Sequence, residues 1–274
     1  MDTIRDRVVL LTGASRGMGR VFAVAFARAG ADLVLVARDA AGLESCAAEV
    51  RALGRVAHVL PADLGDTASL AGVAARAIEI AGRIDVVVHN AGIEPFIRFE
   101  EIAPATLEQV VAVNFTAPAV LTHALVPHML ARGSGHVVFL GSTSSLFAAP
   151  YAALYGATKS AVSGLSRSLS AEFSGRGVGF SVIQPGFVVG TGMFADVVAG
   201  KGLTPPAAIG STTADAVVAA TIDAILRDRP DVIVNSVPVG GGAGLARILP
   251  GVGMAFMRKA VAPFMAKLAD ASKR

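Results

Sequence analysis

The sequence predicts an α/β fold, with a doubly wound parallel sheet of about seven strands and helices on both of its faces. Short runs of Val, Ile and Leu alternate along the chain with longer segments of helical periodicity, which is typical of parallel strands joined by right-handed crossovers. Apolar residues form 53% of the 274 residues and charged residues only 16%. That balance suits strands that are buried on both faces, and the length suits one large domain.

Seven apolar runs predict the strands, at residues 8–11, 32–37, 56–60, 86–88, 137–140, 179–183 and 232–234. Apolar residues that recur every three or four positions predict the helices between them, at residues 21–29, 40–53, 66–80, 104–131, 152–173 and 214–226. Asp66 is expected to be the N-cap of the third helix. Residues 109–131 lack Asp, Glu, Lys and Arg, but Asn114, two prolines and two histidines favour a buried helix over a membrane span.

The turn after the first strand is rich in glycine and opens the first helix. Gly13 permits a tight turn, Gly17 lets the backbone approach a pyrophosphate, and Gly19 lets helix and strand pack closely. The helix N-terminus adds amide donors and a favourable dipole for phosphate. We therefore expect residues 1–237 to form a Rossmann-type cofactor-binding and catalytic domain. The cofactor-binding residues predicted in this turn are Gly13, Ser15, Arg16, Gly17, Met18 and Gly19.

The end of the second strand indicates which dinucleotide binds. A carboxylate at that position usually holds the ribose 2′-hydroxyl of NAD, whereas an arginine nearby accommodates the 2′-phosphate of NADP. This strand ends in Ala37 and Arg38, with Arg16 available from the glycine-rich turn. The two arginines favour NADP(H), and Asp39 is the acidic neighbour that argues for NAD.

Tyr155 and Lys159 are four residues apart and therefore share one face of a predicted helix. An ammonium one turn from a phenol favours the phenolate, so we expect the pKa of Tyr155 to lie below its reference value of about 10. Such a pair would donate and accept protons near neutral pH. A solvated surface pair is the alternative. The small, mostly uncharged flanks of Tyr155, one of only two tyrosines in the chain, favour a functional site.

The order and spacing of these motifs resemble the short-chain dehydrogenase/reductase family, from about residue 5 to residue 234. Ser142 precedes Tyr155 by 13 positions (155 − 142), as is usual in that family. The further matches are Asp63-Leu64, Asn90-Ala91-Gly92, Asn114 and Pro185-Gly186.

The resemblance implies reversible conversion between a carbonyl and an alcohol with a nicotinamide cofactor, here NADP(H). It implies that Tyr155 donates the proton during reduction, and that Lys159 lowers the tyrosine pKa and binds the nicotinamide ribose. Ser142 would hydrogen-bond the substrate oxygen. Asn114 would hold a water that links Lys159 to solvent, with a buried structural amide as the alternative.

The resemblance also implies further cofactor contacts. Asp63 would contact the adenine, unless it only caps a turn, and Asn90 would tie the cofactor region to the sheet. His89 replaces the asparagine that is usual before Asn90, and we expect a structural role for it. Thr191 lies one position later than the family pattern, which makes its nicotinamide contact an open question. The other implied contacts are Leu64, Ala91, Gly92, Pro185, Gly186 and Val188.

Mostly apolar residues near these motifs predict a pocket for a small or medium apolar carbonyl compound, although each could equally belong to the core. They are Ile93, Phe96, Ser144, Phe147, Tyr151, Leu154, Phe187, Val188, Met193 and Phe194. Two other classes of function stay open at this point. One is a catalytically silent dinucleotide-binding regulator, and the other is a lipid-binding protein at a membrane surface.

The last residues, 238–274, depart from the family pattern. Residues 245–274 carry six basic side chains and one acidic side chain. Met257, Val261, Phe264 and Leu268 share one helical face, and Pro263 is expected to kink the helix. We expect this basic amphipathic extension to pack on the same domain and close the substrate site or a dimer, with contact to an anionic membrane surface as the alternative.

Composition limits the partners and cofactors. A net charge of only +3 gives no indication of a nucleic-acid surface. Cys46 is the only cysteine, so no intramolecular disulfide is possible, and no metal-ligand cluster is apparent. The first residues do not resemble a signal peptide, so a cytoplasmic location is expected. The helices at residues 104–131 and 152–173 are expected to form a homodimer, with a tetramer possible.

Overall fold

The computed structural model describes residues 1–147 and 149–272. The strands are β1 (Val8–Thr12), β2 (Asp32–Ala37), β3 (Ala57–Pro61), β4 (Val86–His89), β5 (Gly135–Leu140), β6 (Val178–Pro185), β7 (Phe187–Val189), β8 (Ser211–Thr213) and β9 (Asp231–Val234). Seven of them form one sheet in the order β3-β2-β1-β4-β5-β6-β9, and every neighbouring pair is parallel. The predicted fold class is confirmed. The sequence patterns did not predict the second, two-stranded sheet of β7 and β8.

Helices cover both faces of the sheet. They are α1 (Gly17–Arg28), α2 (Ala40–Ala52), α3 (Leu70–Ala81), α4 (Pro104–Val111), α5 (Ala117–Ala131), α6 (Ala153–Glu172), α7 (Met193–Val198), α8 (Ala214–Arg227), α9 (Val239–Ile248), α10 (Pro250–Phe256) and α11 (Ala262–Ser272). One buried cluster joins the sheet to α1, α2 and α8, and a second joins its other face to α3, α5 and α6. Along β1, Val9 and Leu11 enter the first cluster and Leu10 the second.

The long predicted helix is continuous from Pro104 to Ala131, with a π-helical turn at Ala112–Thr116 between α4 and α5. By length and composition it could cross a membrane. However, Leu121, Leu125 and Met129 are wholly buried against the sheet, and a helix in the core of a protein has the same apolar composition. The packing supports the expectation of a buried helix.

The start of α3 differs from the prediction. The helix begins at Leu70, and Asp66 is not its N-cap. Instead, the backbone carbonyl of Asp66 accepts hydrogen bonds from the amide and the hydroxyl of Ser69, at 3.2 and 3.0 Å. These bonds close a turn over residues 66–69, which delays the helix by one turn.

The C-terminal extension packs on the domain. Met257, Val261, Phe264 and Leu268 are all buried, in a cluster that also contains Phe96. The Ser272 hydroxyl donates to the Phe96 carbonyl at 2.6 Å. The helix continues through Pro263. The turn before it, Met257–Val261, is a π-helix that runs directly into α11, so the expected irregularity takes the form of a wider turn.

Candidate active site

The glycine-rich turn forms the floor of a cleft at the carboxyl ends of the strands. Gly13 has φ +68°, and a Cβ there would lie 2.9 Å from the Ala91 Cα. A Cβ on Gly19 would clash with the Gly13 carbonyl oxygen. The Asn90 side-chain amide donates to the carbonyls of Thr12 and Gly13, at 2.9 and 3.2 Å. Asn90 therefore ties the turn to the end of β4, as expected.

One cavity of about 460 Å³ runs from this turn past Tyr155. All the predicted cofactor-binding residues line it, including Ser15, Met18, Asp63, Leu64, Gly92, Pro185, Gly186, Val188 and Thr191. A Cβ on Gly13, Gly17 or Gly19 would press on neighbouring backbone, and the N-terminus of α1 faces the cavity, where its amides can receive a pyrophosphate. The residues present therefore fit a nicotinamide dinucleotide.

The charged residues at the adenosine end of the cleft differ in the partners that they already have within the protein. Asp39 caps α2, because its carboxylate accepts from the Gly42 amide at 3.0 Å. Arg38 is exposed beside it. Arg16 pairs with Asp196 of α7 at 2.9 Å, and both side chains are more than half exposed. The Asp63 carboxylate accepts from the Gly65 amide at 2.8 Å, so it also caps a turn.

Three of the four predicted catalytic residues meet where the cleft reaches its apolar end. Lys159 is buried, and its Nζ donates to the Leu140 carbonyl at 2.7 Å. The same Nζ lies 5.4 Å from the centre of the Tyr155 ring. Ser142 follows β5, and its hydroxyl accepts from the Ser144 amide at 3.1 Å. Tyr155, Lys159 and Ser142 all line the one cavity.

The pKa of Tyr155 is shifted in the direction opposite to the prediction. Burial of the phenol raises its pKa, the carboxylate of Glu94 raises it further, and the hydrogen bond with Ser142 opposes the rise only in part. Burial also lowers the pKa of Lys159 to about 8, although Glu94 opposes this change. The prediction considered only the neighbouring ammonium and omitted the desolvation of the phenol.

Asn114 joins two elements of the site. Its side-chain oxygen accepts from the Ile93 amide at 2.8 Å, and its nitrogen donates to the Ile93 carbonyl at 2.9 Å and to the Thr158 hydroxyl at 3.2 Å. All these bonds go to protein groups, so the side chain positions the loop after β4 against α6. Asn114 lies in the π-helical turn Ala112–Thr116, a distortion often found at functional sites.

His89 has the structural role that was expected for it. The ring is buried, and its Nε2 lies 2.9 Å from the Thr122 hydroxyl. Burial lowers the pKa of His89 to about 3, so the ring is neutral.

The structure adds Glu94 to the site, which the motifs did not predict. Its carboxylate lies in the cavity wall near Tyr155 and Lys159. One oxygen accepts from the Phe96 amide at 3.0 Å. Burial raises the pKa of Glu94 to about 7, although the Phe96 amide and Lys159 both act against the rise. The signal in the sequence was an acid within the otherwise apolar run from Ile93 to Phe96.

The apolar end of the cavity contains most of the predicted substrate residues, with one difference. Ile93, Phe96, Ser144, Phe147, Phe187, Val188, Met193 and Phe194 line it. Tyr151 and Leu154 instead line a neighbouring cavity, where Arg98 stacks on the Tyr151 ring at 5.2 Å. The C-terminal extension supplies further wall residues that the sequence did not identify as such: Val239, Phe256, Met257, Val261 and Met265.

The segment around Thr191, which lies one position later than the family pattern, forms a loop over the glycine-rich turn. A Cβ on Gly17 would lie 3.3 Å from the Gly192 Cα and 4.0 Å from the Thr191 hydroxyl oxygen. Both Gly190 and Gly192 have φ +85°. Thr191 therefore lies in the cavity wall beside Gly17 despite its displaced position in the sequence.

Known proteins resemble this chain in sequence and in structure. The family described as short chain dehydrogenase matches residues 7–202. The ketoacyl reductase HetN of Nostoc sp. is 34% identical over 239 residues, which cover 87% of this chain and 82% of the relative. A short chain dehydrogenase/reductase from Burkholderia phymatum, solved with NAD, has a TM-score of 0.80 at 25% identity and covers 92% of this chain and 96% of its own.

A metagenomic short-chain oxidoreductase solved in complex with NADP has a TM-score of 0.71 at 29% identity, covering 84% of this chain and 97% of its own. The matched region contains the glycine-rich turn, Ser142 and the pair Tyr155 and Lys159. The chain therefore belongs to the short-chain dehydrogenase/reductase family of oxidoreductases, which use a nicotinamide dinucleotide.

Proposed function

We propose that this protein is an NADPH-dependent reductase that converts the carbonyl of an apolar small molecule to an alcohol. The observation that carries the proposal is the position of Tyr155 and Lys159, where the dinucleotide cleft meets an apolar cavity. Phe96, Phe187 and Phe194 supply aromatic walls there. Small-molecule sites typically combine such apolar walls with a few convergent polar groups.

The chemistry divides between the cofactor and the chain. A bound nicotinamide supplies the hydride for reduction and accepts it for the reverse reaction. Tyr155 gives its phenolic proton to the substrate oxygen, and Ser142 donates a hydrogen bond to the same oxygen. Lys159 binds the ribose hydroxyls, and its charge favours the phenolate that remains after proton transfer. Asn114 holds the loop at Ile93 in place.

The raised pKa of Tyr155 is compatible with its proposed role as a proton donor. A proton donor has to be protonated before the reaction, and burial keeps the phenol neutral at physiological pH. Lys159, with a pKa of about 8, still carries its charge at pH 7. The site therefore combines a neutral acid with a nearby cation, which is the combination that reduction of a carbonyl requires.

The preference for NADP(H) is part of the proposal. It is supported by the contacts of Asp39 and by the exposure of Arg38. Asp39 is engaged in capping α2 through Gly42. Arg38 is exposed at the end of β2, where a 2′-phosphate would lie. Charge-assisted hydrogen bonds to a phosphate typically contribute roughly 1.5–3 kcal/mol each, and less where solvent screens them.

One assay tests the function directly. The purified protein is mixed with NADPH or NADH and with a panel of apolar ketones and aldehydes, and the loss of absorbance of the reduced cofactor is followed. We expect turnover with NADPH for at least one apolar ketone and a lower kcat/KM with NADH. Equal or better kcat/KM with NADH would contradict the proposed cofactor preference. Binding of NADPH without turnover across the whole panel would favour a silent regulator.

A further inference from the structure

The outer surface of the C-terminal extension carries a concentration of exposed apolar side chains. Among the described residues, twelve large apolar side chains are exposed, and five of them lie within residues 248–256. We call these five the apolar patch: Ile248, Leu249, Val252, Met254 and Phe256. Ile248 and Val252 are 77% and 58% exposed. Scattered exposed apolar residues are ordinary, whereas five within residues 248–256 are a concentration that is typical of an interaction surface.

The charged residues of the segment that carries the apolar patch have one sign, although Glu100 of another segment lines a cavity together with Arg258. The sequence contains no Asp or Glu between Asp231 and Asp270. The same stretch contains four basic residues, Arg247, Arg258, Lys259 and Lys267. Arg258 and Lys259 are exposed and follow the apolar patch directly. An apolar surface bordered by cations is the arrangement that anionic lipid surfaces attract.

The apolar patch also borders the substrate cavity. Phe256 belongs to the patch and lines the cavity, and the next residue, Met257, is buried in the cavity wall. The helices α9 and α10 have ten and seven residues. At about 1.5 Å per residue, neither is long enough to cross the roughly 30 Å hydrocarbon core of a bilayer. They can lie only on its surface.

We propose that the apolar patch docks the protein onto an anionic lipid surface, with α9 and α10 lying in the headgroup region. In this position the cavity wall formed by Phe256 and Met257 faces the membrane. An apolar substrate can then pass from the lipid into the cavity without crossing water. The docking itself is independent of the proposed function, whereas the substrate route rests on it.

A second copy of the chain fits this surface less well. In a symmetric dimer formed through the apolar patch, the patch of one copy would face the patch of the other. Arg258 and Lys259 of both copies would then be brought together, and the patch segment itself, residues 232–269, supplies no acid to pair with them. Like charges placed opposite each other are unfavourable in an interface.

Co-sedimentation with lipid vesicles tests the proposal. We expect the full-length protein to bind vesicles of phosphatidylcholine mixed with phosphatidylglycerol at low salt, and to be released by high salt. Vesicles of phosphatidylcholine alone should bind it far less. Replacing Arg258 or Lys259 by alanine should weaken binding roughly fivefold for each charge removed.

The decisive variant is Ile248→Asn with Val252→Asn, which should abolish vesicle binding. Its matched control is Leu53→Asn with Val56→Asn, since these side chains are 41% and 51% exposed near β3, at the opposite edge of the sheet from β9. The control should bind vesicles like the original protein. Circular dichroism establishes that both variants fold, and light scattering gives their mass.

Two results would overturn the proposal. The first is an absence of binding to anionic vesicles, or equal binding by the patch variant and the original protein. The second is a halved mass of the patch variant in solution, which would identify the apolar patch as a contact between copies. Because NADPH oxidation is measured without vesicles, failure of the docking is distinguishable from failure of the proposed reaction.

Discussion

Replacing Glu94 by glutamine should stabilise the protein in a way that depends on pH. Burial of the carboxylate raises its pKa from 4.5 to about 7, although the Phe96 amide and Lys159 favour the charged form. A carboxyl with a raised pKa stabilises the fold fully below its unfolded pKa. That contribution is lost as the pH rises through the pKa of the folded state. Glutamine keeps the shape of the side chain but cannot ionise.

The size of the effect follows from the pKa shift. A change from 4.5 to about 7, at roughly 1.4 kcal/mol per pKa unit, corresponds to about 3 kcal/mol in the free energy of unfolding. For a domain of this size, about 2–4 °C in Tm is expected for each kcal/mol. The difference in Tm between the Glu94→Gln variant and the original protein should therefore be small near pH 4.5 and should grow to a plateau above pH 7.

Thermal unfolding followed by circular dichroism at a series of pH values measures this difference. Glu100→Gln is the matched control, because Glu100 is exposed and lies only six residues further along the chain. The control should differ little from the original protein at every pH. A Tm difference for Glu94→Gln that stays constant from pH 4.5 to pH 8 would refute the reasoning. It would mean that Glu94 ionises equally well in the folded and the unfolded chain.

The remaining predictions concern activity and assembly. Tyr155→Phe should lower turnover by ~10²–10⁴-fold while NADPH binding, measured by fluorescence, survives, because only a proton donor is removed; near-normal turnover would exclude that role. Arg38→Asp should reverse the ratio of kcat/KM values for NADPH and NADH, and an unchanged ratio would remove Arg38 from the 2′-phosphate site. The rate of reduction should fall as the pH rises through about 8, where Lys159 loses its charge; a profile that is flat to pH 10 would contradict this. Light scattering should find a dimer, and Gly164→Arg on the exposed face of α6 should yield a folded monomer, since nothing in the chain lies within 4 Å of the added Cβ. A monomer before substitution would refute the dimer.

The parts of the site that could be predicted are those in which local backbone chemistry decides the residue. Gly13 and Gly19 were identifiable because only glycine fits a tight strand-to-helix turn, and the distances in the structure bear this out. Asn90 was identifiable because it follows a strand directly beside that turn. The sheet could be predicted for a similar reason, since buried parallel strands need uninterrupted apolar runs.

The parts that could not be predicted depend on contacts between distant segments. Glu94 belongs to no motif, and its burial becomes apparent only when α6 and the loop after β4 come together. Tyr151 was expected near the substrate because it is close to Tyr155 in sequence, but the chain turns at Tyr151, with φ +61°, and directs it to the neighbouring cavity. The strands β7 and β8 have three residues each and are too short for a periodic signal.

The pKa values of the three ionisable groups at the site share one physical origin. Burial raises the pKa of Tyr155 and of Glu94 and lowers that of Lys159, so in each case it favours the neutral form. From the sequence we expected the lysine to lower the tyrosine pKa, so that the pair could donate and accept protons near neutral pH. The structure instead raises the tyrosine pKa, chiefly through burial, so the phenol stays protonated, and the lysine retains its charge up to about pH 8. A protonated phenol beside a cation can give its proton to a carbonyl oxygen. The phenolate formed in that step is also the form that alcohol oxidation requires, so burial opposes it in both directions, and the charge of Lys159 offsets part of that cost.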